Sequence, residues 1–583
     1  MYYKLITFKG IAPQISPRLL ADTMAQTAQD VVLDSGRLVP ITDNSTTATL
    51  NASGKTSIYK YEFGGVDYWL EWASDVDVQP APIPDDANAR LYWTGDTFPR
   101  MASSTELIAS GSGAYPRGFF RLGIPAPENT PTASIASGSD DGTQTKFSTS
   151  YVYTFVSGFG EEGPPSAAST VLTKVDAQTV TVGNMSTSAG SGTSRSNTNI
   201  TKKRIYRSNT GSNTTAFQFV GEVNLNVATF TDSVTNANLG ELIPSTFWIA
   251  PPDEDSSLYP NGQMRGLTSM PNGIFAGFSG KRLCFSEPFL PHAWPVAYRI
   301  TLDEEIVAIA MAGNGLFVGT KGTPYLVIGT DPQSMSAVRI EAAQACLNKR
   351  SMVDMGPYVL YAGADGLVAA TGTDVQVVTE GQISPSQWRA EYYPTVLQGF
   401  LWEGRYVGLY TSGSNYGGFI FDNRFGERRI TTLTQTATTD ASGGFTDPDD
   451  NSLYLIIDPA SGNGVVKEFQ GGTTNQTFTW RSKTFVPERP GRMGFVKVDA
   501  EDWPVVIKVY GDGSVIYHAT IDEGVSSGYT VTGTTPSFSA VAIPEPVVRL
   551  PSGVHKTYSV EIQSTKIVNE VCIAESIQEI RAL

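Results

Sequence analysis

One phrase recurs along the second half of this 583-residue chain: an apolar strand, a glycine-centred turn and a second apolar strand. The copies are GIFAGFSGKRLCFSEP at 273–288, GLFVGTKGTPYLVIG at 315–329, YVLYAGADGLVAATG at 358–372, YVGLYTSGSNYGGFIFD at 406–422 and LYLIIDPASGNGVVKEF at 453–469. Their starts lie roughly 42 to 48 residues apart, the length of a four-stranded propeller blade. Each phrase supplies two strands of such a blade, and intervening segments such as WPVAYRITLDEEIVAIAMA supply the others. A lone blade leaves both faces of its sheet exposed, whereas blades packed about one axis bury each other. An irregular stack of β-sandwiches with coincidental spacing is the blander reading of the same pattern.

Apolar alternation continues outside the repeats, in SIYKYEF at 57–63, VDYWLEW at 66–72 and ARLYWTG at 89–95. Period-two runs rich in Tyr, Trp, Val and Ile read as half-buried strands. Hairpins near 58–72 and 89–103 bring the expected count to six or seven blades, with N-terminal strands available to close the ring. Only residues 16–30 read as helix: Ser16 can cap, Pro17 takes the first helical position, and Leu20, Met24, Thr27 and Ala28 share one partly apolar face. The fold class expected is all-β, with a propeller-like ring of four-stranded blades.

Between these groups the texture changes. From ENTPTASIASGSDDGTQ at 128–144 to NANLGELIPS at 236–245 the chain is rich in Ser, Thr and Gly, with Pro at both margins. Within it, YVYTFVSGFGEEGPPSAAS (151–169), KRIYRSNTGSNTTAFQFVGEV (203–223) and ATFTDSV (228–234) resemble the strands of a fibronectin type III domain, a small sandwich of about 100 residues. The last segment has its own grammar: PVVIKVYGDGSVIYHATI at 504–521 turns at Gly511-Asp512-Gly513, and VVRLPSGVHKTYSVEIQST (547–565) and VNEVCIAESIQEI (568–580) follow. Five segments are therefore expected: a docking segment with a short helix (1–50), first blades (51–127), an inserted fibronectin type III-like sandwich (128–245), further blades (246–472) and a C-terminal β-sandwich or interface domain (473–583).

Composition narrows the function classes. A net charge of −16 argues against gripping nucleic acid by neutralising phosphates, but not against a surface that DNA must pass without sticking. Cys284, Cys346 and Cys572 are too few and too scattered for a disulfide framework or a zinc cluster, which suits a reducing cytoplasm. The most apolar run, IVAIAMAGNGLFVG at 306–319, is broken by Gly and Asn and falls short of a bilayer span. The opening MYYKLITFKG lacks a basic n-region followed by an apolar core, which argues against the ordinary secretory route.

Catalytic constellations are weak. His292, His518 and His555 are the only histidines, so a multi-histidine metal site would need nearly all of them. GFSGK at 277–281 misses the G-x-S-x-G nucleophile elbow because its second glycine comes one residue early, and it reads as a hairpin turn. The acidic runs Asp447, Asp449, Asp450; Asp253, Glu254, Asp255; and Asp303, Glu304, Glu305 could hold Ca²⁺ or act as acid and base, but DPDDN lacks the spacing that wraps a cation. SDDGTQT at 139–145 is a near miss to the Ser-x-Asp-x-Gly-x-Thr-Trp box of propeller sialidases. Trp69, Trp72, Trp93, Trp294, Trp388, Trp402, Trp480 and Trp503 could stack on sugars, yet most lie in alternating strands and read as packing between blades. No catalytic, cofactor-binding or metal-binding residue is assigned, and a non-enzymatic role is expected.

The opening phrase GIAPQISPRLLADTMAQTAQDVVLDSGRLVP, the repeats, and the closing WRSKTF and RLPSGVHKTYSVEI together resemble the tail tube, or nozzle, proteins (tail tubular protein B-like) of short-tailed bacteriophages. In that family a G-I-x-P-x-x-x-P-like opening leads into a short helix and a strand ending in S-G-R-L-x-P; here these are Gly10, Ile11, Pro13 and Pro17, then Ser35, Gly36, Arg37, Leu38 and Pro40. The inserted sandwich departs from the simplest members. The resemblance implies a structural virion protein: a homohexamer below the portal and adaptor rings, meeting tail fibre or tail-tip proteins and enclosing the conduit for genome ejection. Such a protein is assembled in the host cytoplasm and resides in the virion tail, and its opening stretch is assembly hardware. Six copies at −16 each carry about −96, which would keep passing DNA mobile. The alternative is a carbohydrate-binding or glycan-degrading tail-associated propeller, an adhesin or depolymerase working as a monomer or trimer.

Overall fold

The computed structural model describes residues 1–582 apart from 211–214, 425, 435–440, 523–524 and 528–546. The protein is all-β, with 45% of residues in strands and 6% in helices. Two compact units make up the chain: Tyr61–Glu341, and a second that joins Met1–Lys60 to Ala342–Leu583. This division is coarser than the five segments expected.

All five repeated phrases form hairpins. Ile274–Ser279 pairs with Arg282–Phe285, Gly315–Thr320 with Tyr325–Ile328, and Val359–Ala362 with Leu367–Thr371. Arg405–Ser412 pairs with Asn415–Asp422, and Leu453–Ile457 with Val465–Glu468. Around the first three, flanking strands complete four-stranded antiparallel sheets in the continuous order that hairpin connections dictate; the last two hairpins also recruit strands from the opening segment.

In the 61–341 unit these sheets span residues 77–121, 265–301 and 306–339. Tyr92, Met101 and Leu122 of the first meet Leu267, Phe275 and Cys284 of the second. On the other side, Ala276, Phe278, Leu283 and Phe285 meet Ile309, Leu316, Val318 and Val327 of the third. Both faces of the middle sheet are thus apolar, so Ile274–Ser279 reads as a continuous buried run instead of alternating. Fully burying each such side chain contributes roughly 1.5–3 kcal/mol.

Residues 132–232 of the same unit form a separate sandwich. Thr132–Ser137, Thr179–Gly183 and Phe230–Asp232 make one sheet, and Tyr151–Ser157, Ile200–Thr210 and Thr215–Asn224 make another. Tyr151, Tyr153, Phe155, Val180, Val182 and Ile205 fill the space between them. The turn inside the 203–223 phrase lies outside the described residues.

In the other unit, sheets at 353–377 and 398–433 pack through Leu360, Leu367 and Trp388 against Tyr406, Phe419 and Phe421. The 398–433 sheet packs through Phe400, Val407 and Ile420 against Leu453, Leu455 and Phe469 of a further sheet, 441–468. The fourth strand of that last sheet comes from the opposite end of the chain: Ser45–Thr49 pairs with Val465–Glu468.

The expected helix over 16–30 does not form. Residues 16–24 make turns, and Ala25–Gln29 is a strand paired with Phe478–Ser482 on one side and bridged to Thr432 on the other. The physical reason is that a fifteen-residue helix with so narrow an apolar face is marginal in water. A β-strand there has its backbone groups satisfied from two sides. The segment packs against the body of its own unit through strands instead of a helix face. Tyr2–Leu5 pairs with Val568–Ala574, Leu38 bridges Val568, and Phe8, Ile11, Leu20, Ala25 and Ala28 are buried. Together with Phe478–Ser482, Phe495–Ala500, Val505–Gly511, Ser514–Asp522 and Tyr558–Ser564 they build the terminal sandwich, and Ala25–Gln29 joins it edge to edge with the 398–433 sheet.

Two glycines of the opening phrase show why their identity matters. Gly10 lies against the backbone of Ile430, whose carbonyl oxygen would be 2.2 Å from an added Cβ, and Ile11 N–H donates to that same carbonyl at 2.9 Å. Gly36 has φ +77° and would place a Cβ 2.8 Å from the Cα of Thr7, while its carbonyl accepts from Phe8 N–H. Asp34 beside it accepts from Arg405 at 2.6 Å and Arg424 at 2.8 Å, and Lys9 pairs with Glu427 at 2.9 Å.

Among the described residues, α-helix is confined to Ser104–Leu107, Pro385–Glu391 and Ile577–Arg581, with short 3-10 turns besides. The last lies in the 568–580 phrase read as strand throughout: after Val568–Ala574, Ser576 and Glu579 form a capping box and the chain turns helical. No described helix is long and apolar enough to cross a membrane.

Candidate functional site

The sequence-level candidates for chemistry do not converge. Among the described residues, no group of three or more His, Cys, Asp or Glu side chains is arranged to hold a metal ion. His518 is exposed on its strand opposite Lys508, and His555 lies 3.2 Å from Asp512 with its ring edge-on to Tyr558. Asp447 is buried and paired with Lys60 at 2.9 Å, while its other oxygen accepts from Asp449 N–H, so DPDDN is a structured turn. Arg121 draws in Glu254 at 2.6 Å and Asp253 at 3.5 Å, and Asp255 caps its own turn through Ser257. Asp303, Glu304 and Glu305 are exposed, with Glu305 on Lys321 at 2.7 Å.

GFSGK spans the end of Ile274–Ser279 and a turn at Gly280, where φ is +58°. SDDGTQT is an exposed loop closed by Asp140 and Asp141 on the N–H groups two residues ahead. All three cysteines are buried and unpaired by disulfide; burial pushes their thiols up to about 11 for Cys284, about 12 for Cys346 and about 11 for Cys572, far from a reactive thiolate. Of the eight tryptophans weighed as sugar platforms, Trp72, Trp93, Trp294, Trp388, Trp402 and Trp480 are buried, so packing explains them.

A buried charge cluster, absent from the sequence reading apart from His292, lies in the 61–341 unit. Arg90 donates to Asp86 at 2.9 Å and to Glu161 at 2.9 Å, and His292 Nδ1 is 3.9 Å from the same Glu161 oxygen. The His292 ring is 2% exposed, and among the described residues neither nitrogen makes a hydrogen bond of good geometry, the Glu162 backbone being its nearest polar neighbour of that kind. Burial, with Arg90 nearby, lowers its pKa to about 4, so the imidazole is neutral across the physiological range. Burial also pushes the Glu161 carboxyl upward against the pull of Arg90. Because Glu161 follows strand Tyr151–Ser157, this cluster fastens the 132–232 sandwich to the 77–121 sheet within its unit.

In the other unit, the phrases at the two ends of the sequence meet at one cleft. Its volume is about 380 Å³, and Ser16 and Arg18 of GIAPQISPR, Arg481 and Thr484 of WRSKTF, and Lys556 of GVHKTYS line it. The walls are fixed by backbone bonds: Thr484 N–H donates to Pro17 O, and Phe485 and Tyr558 exchange both bonds. Arg481 stacks over the Tyr510 ring at 3.8 Å, and its guanidinium donates to Ser559 Oγ at 3.3 Å. Tyr510 in turn donates to Glu561, which Lys508 also contacts at 2.8 Å; burial opposes ionisation, but these bonds hold that carboxyl below its ordinary range.

Among the described residues Asp512 is the single carboxylate on the lining, and it is engaged by the Lys556 and Thr557 N–H groups and by His555. Sequence reasoning noted all three phrases separately. Their meeting depends on strand pairings across more than 400 residues, which no local pattern encodes.

No protein-family model matches the chain, and no curated protein does. Solved structures similar in outline include BBS1N in complex with ARL6DN (9% identity, 74% of this chain and 97% of that one, TM-score 0.29). A eukaryotic initiation factor aligns at 9% identity over 87% of this chain and 98% of its own, with a TM-score of 0.23. A glycoside hydrolase family 43 arabinoxylan arabinofuranohydrolase from Bacillus subtilis aligns at 10% identity over 78% and 96%, with a TM-score of 0.18. Likenesses this low bear on neither activity nor partners.

Proposed function

We propose that this chain is a structural subunit of the tail nozzle of a short-tailed bacteriophage, non-enzymatic and working as a homohexamer around a channel for DNA. In this reading the four-stranded sheets are blades of a propeller-like ring, residues 128–245 are an inserted fibronectin type III-like sandwich, and the hexamer joins a portal or adaptor ring on one side and tail fibre or tip proteins on the other. One observation carries it: Gly10, Gly36 and Trp480, three of the positions on which the family resemblance rests, sit at close contacts that hold the opening segment within its unit. Gly10 abuts Ile430, Gly36 abuts Thr7, and Trp480 of WRSKTF donates its indole N–H to Lys9 O at 3.1 Å. A motif shared for packing reasons supports common descent of the whole sandwich more strongly than a shared surface phrase would. The net charge of −16 per copy suits a wall along which DNA slides without adhering.

Native mass spectrometry tests the reading directly. Six copies of the 62.6 kDa chain give a particle of about 376 kDa, and rotational averaging of negative-stain images should return six-fold symmetry with an open centre. A trimer, or a monomer that cleaves a glycan, rejects the nozzle.

A further inference from the structure

We propose that the cleft between GIAPQISPR, WRSKTF and GVHKTYS is a binding site for an acidic saccharide unit, a hydroxylated ring carrying one oxyanion. The proposal goes beyond the nozzle reading and does not depend on it. Three features point there.

The first is charge. In a chain of net −16, this cleft gathers Arg18, Arg481 and Lys556 against one carboxylate, Asp512, whose oxygens are already bonded. Among the described residues the side chains of Arg18 and Lys556 make no ion pair or hydrogen bond.

The second is preorganisation. Arg481 is held by Tyr510 beneath it and Ser559 beside it, while its Nε is buried and has no acceptor. A planar guanidinium held in place on the lining matches the geometry of a carboxylate or phosphate and loses little entropy on binding.

The third is the remaining lining and its size. Ser16 and Thr484 offer hydroxyls, and a volume of about 380 Å³ falls within the range of small-molecule sites. A long polyanion such as DNA would also feel the repulsion of the whole chain, whereas a single acidic ring would feel chiefly the local cations.

The test uses the full-length protein and ligand-observed NMR or calorimetry at 50 mM salt, with glucuronate, glucose 6-phosphate, glucose and inorganic phosphate as probes. Expected is saturable binding of glucuronate or glucose 6-phosphate, at least tenfold tighter than glucose; whichever acid binds tighter identifies a carboxylate or a phosphate as the anion. Arg481→Gln should weaken that binding at least tenfold. Lys556→Gln, at an exposed position that the fold does not use, should weaken it about threefold. Failure of both acidic sugars to bind overturns the proposal. So does binding that neither variant weakens, or inorganic phosphate binding as tightly as the sugars, which would mark a site for bare anions.

Discussion

The two β-sandwiches of this protein keep their cores by opposite means. The one at residues 132–232 is built from a single continuous stretch and carries a polar centre: Arg207, fully buried, donates to Asp232 at 2.7 Å, and Tyr151 O–H donates to the same carboxylate at 2.8 Å. Lys203 is nearby in the same core, giving its ammonium to Ser186 O at 2.7 Å, and burial lowers its pKa to about 8. The terminal sandwich is discontinuous, with strands from residues 2–29 and 478–574, and its centre is aliphatic: Val496, Val505, Ile507, Val560, Ile562 and Ile573. A contiguous domain can afford charged residues inside, because its short loops close before the pair must be desolvated. A domain assembled from the two ends of the chain must offset a larger loop entropy, and apolar area supplies that without demanding exact partners.

The largest expected effect tests this contrast by truncation. Removing residues 1–41 should abolish hydrogen-exchange protection in Phe478–Ser482 and Tyr558–Ser564 while Tyr151–Ser157 and Ile200–Arg207 stay protected. Equal loss in both sandwiches would break the comparison.

Next in size, Arg207→Ala leaves Asp232 charged and buried, and should cost about 3–5 kcal/mol in chemical unfolding of the 61–341 unit. An effect under about 1 kcal/mol would show the polar centre to be incidental.

The third prediction concerns pH. His292 has a folded pKa of about 4 against an ordinary 6.5, so between those values the unfolded chain takes up a proton that the folded chain refuses. Its contribution to stability is complete above pH 6.5 and declines by up to about 3 kcal/mol as pH falls to about 4. Glu161, whose folded pKa is raised, acts in the opposite sense: the penalty on its buried charge eases as the pH falls into the carboxylate range. Comparing the wild type with His292→Phe isolates the histidine, since the stability difference between the two should shift in favour of the variant as the pH falls from 6.5 to 4. Parallel curves would contradict the assignment.

The smallest effect sharpens the terminal sandwich. Gly10→Ala forces a methyl group toward the Ile430 carbonyl and should cost about 1–3 kcal/mol, read as a lowered denaturation midpoint of the unit containing residues 1–60 and 342–583.

Much of this architecture was legible in the sequence, and the reason is local. A strand-turn-strand phrase contains its own partner, so the hairpins at 274–285, 315–328, 359–371, 405–422 and 453–468 follow from alternation and turn glycines. The turn at Asp512 and Gly513, with φ of 50° and 83°, was equally explicit. The opening segment misled because Ser16-Pro17 imitates a helix start while the true determinant, pairing with Phe478–Ser482, lies about 450 residues away. The cleft was hidden for the same reason: Arg18, Arg481 and Lys556 are unremarkable singly and acquire meaning only when three distant phrases are brought together. Burial of Glu161 beside His292 had no local signal, because their meeting depends on residues about 130 apart in the chain.

The pairing of Tyr2–Leu5 with Val568–Ala574, and of Ser45–Thr49 with Val465–Glu468, sets a timetable for synthesis. At translation rates of about 5–20 residues per second, the early strands leave the ribosome roughly half a minute to two minutes before their partners exist. Throughout that interval their edges are open to any other nascent strand, while the 132–232 sandwich can already close. Slowing elongation should therefore raise the yield of soluble 61–341 unit and lower that of the intact chain, and holdase chaperones should be found on ribosomes paused between codons 60 and 465.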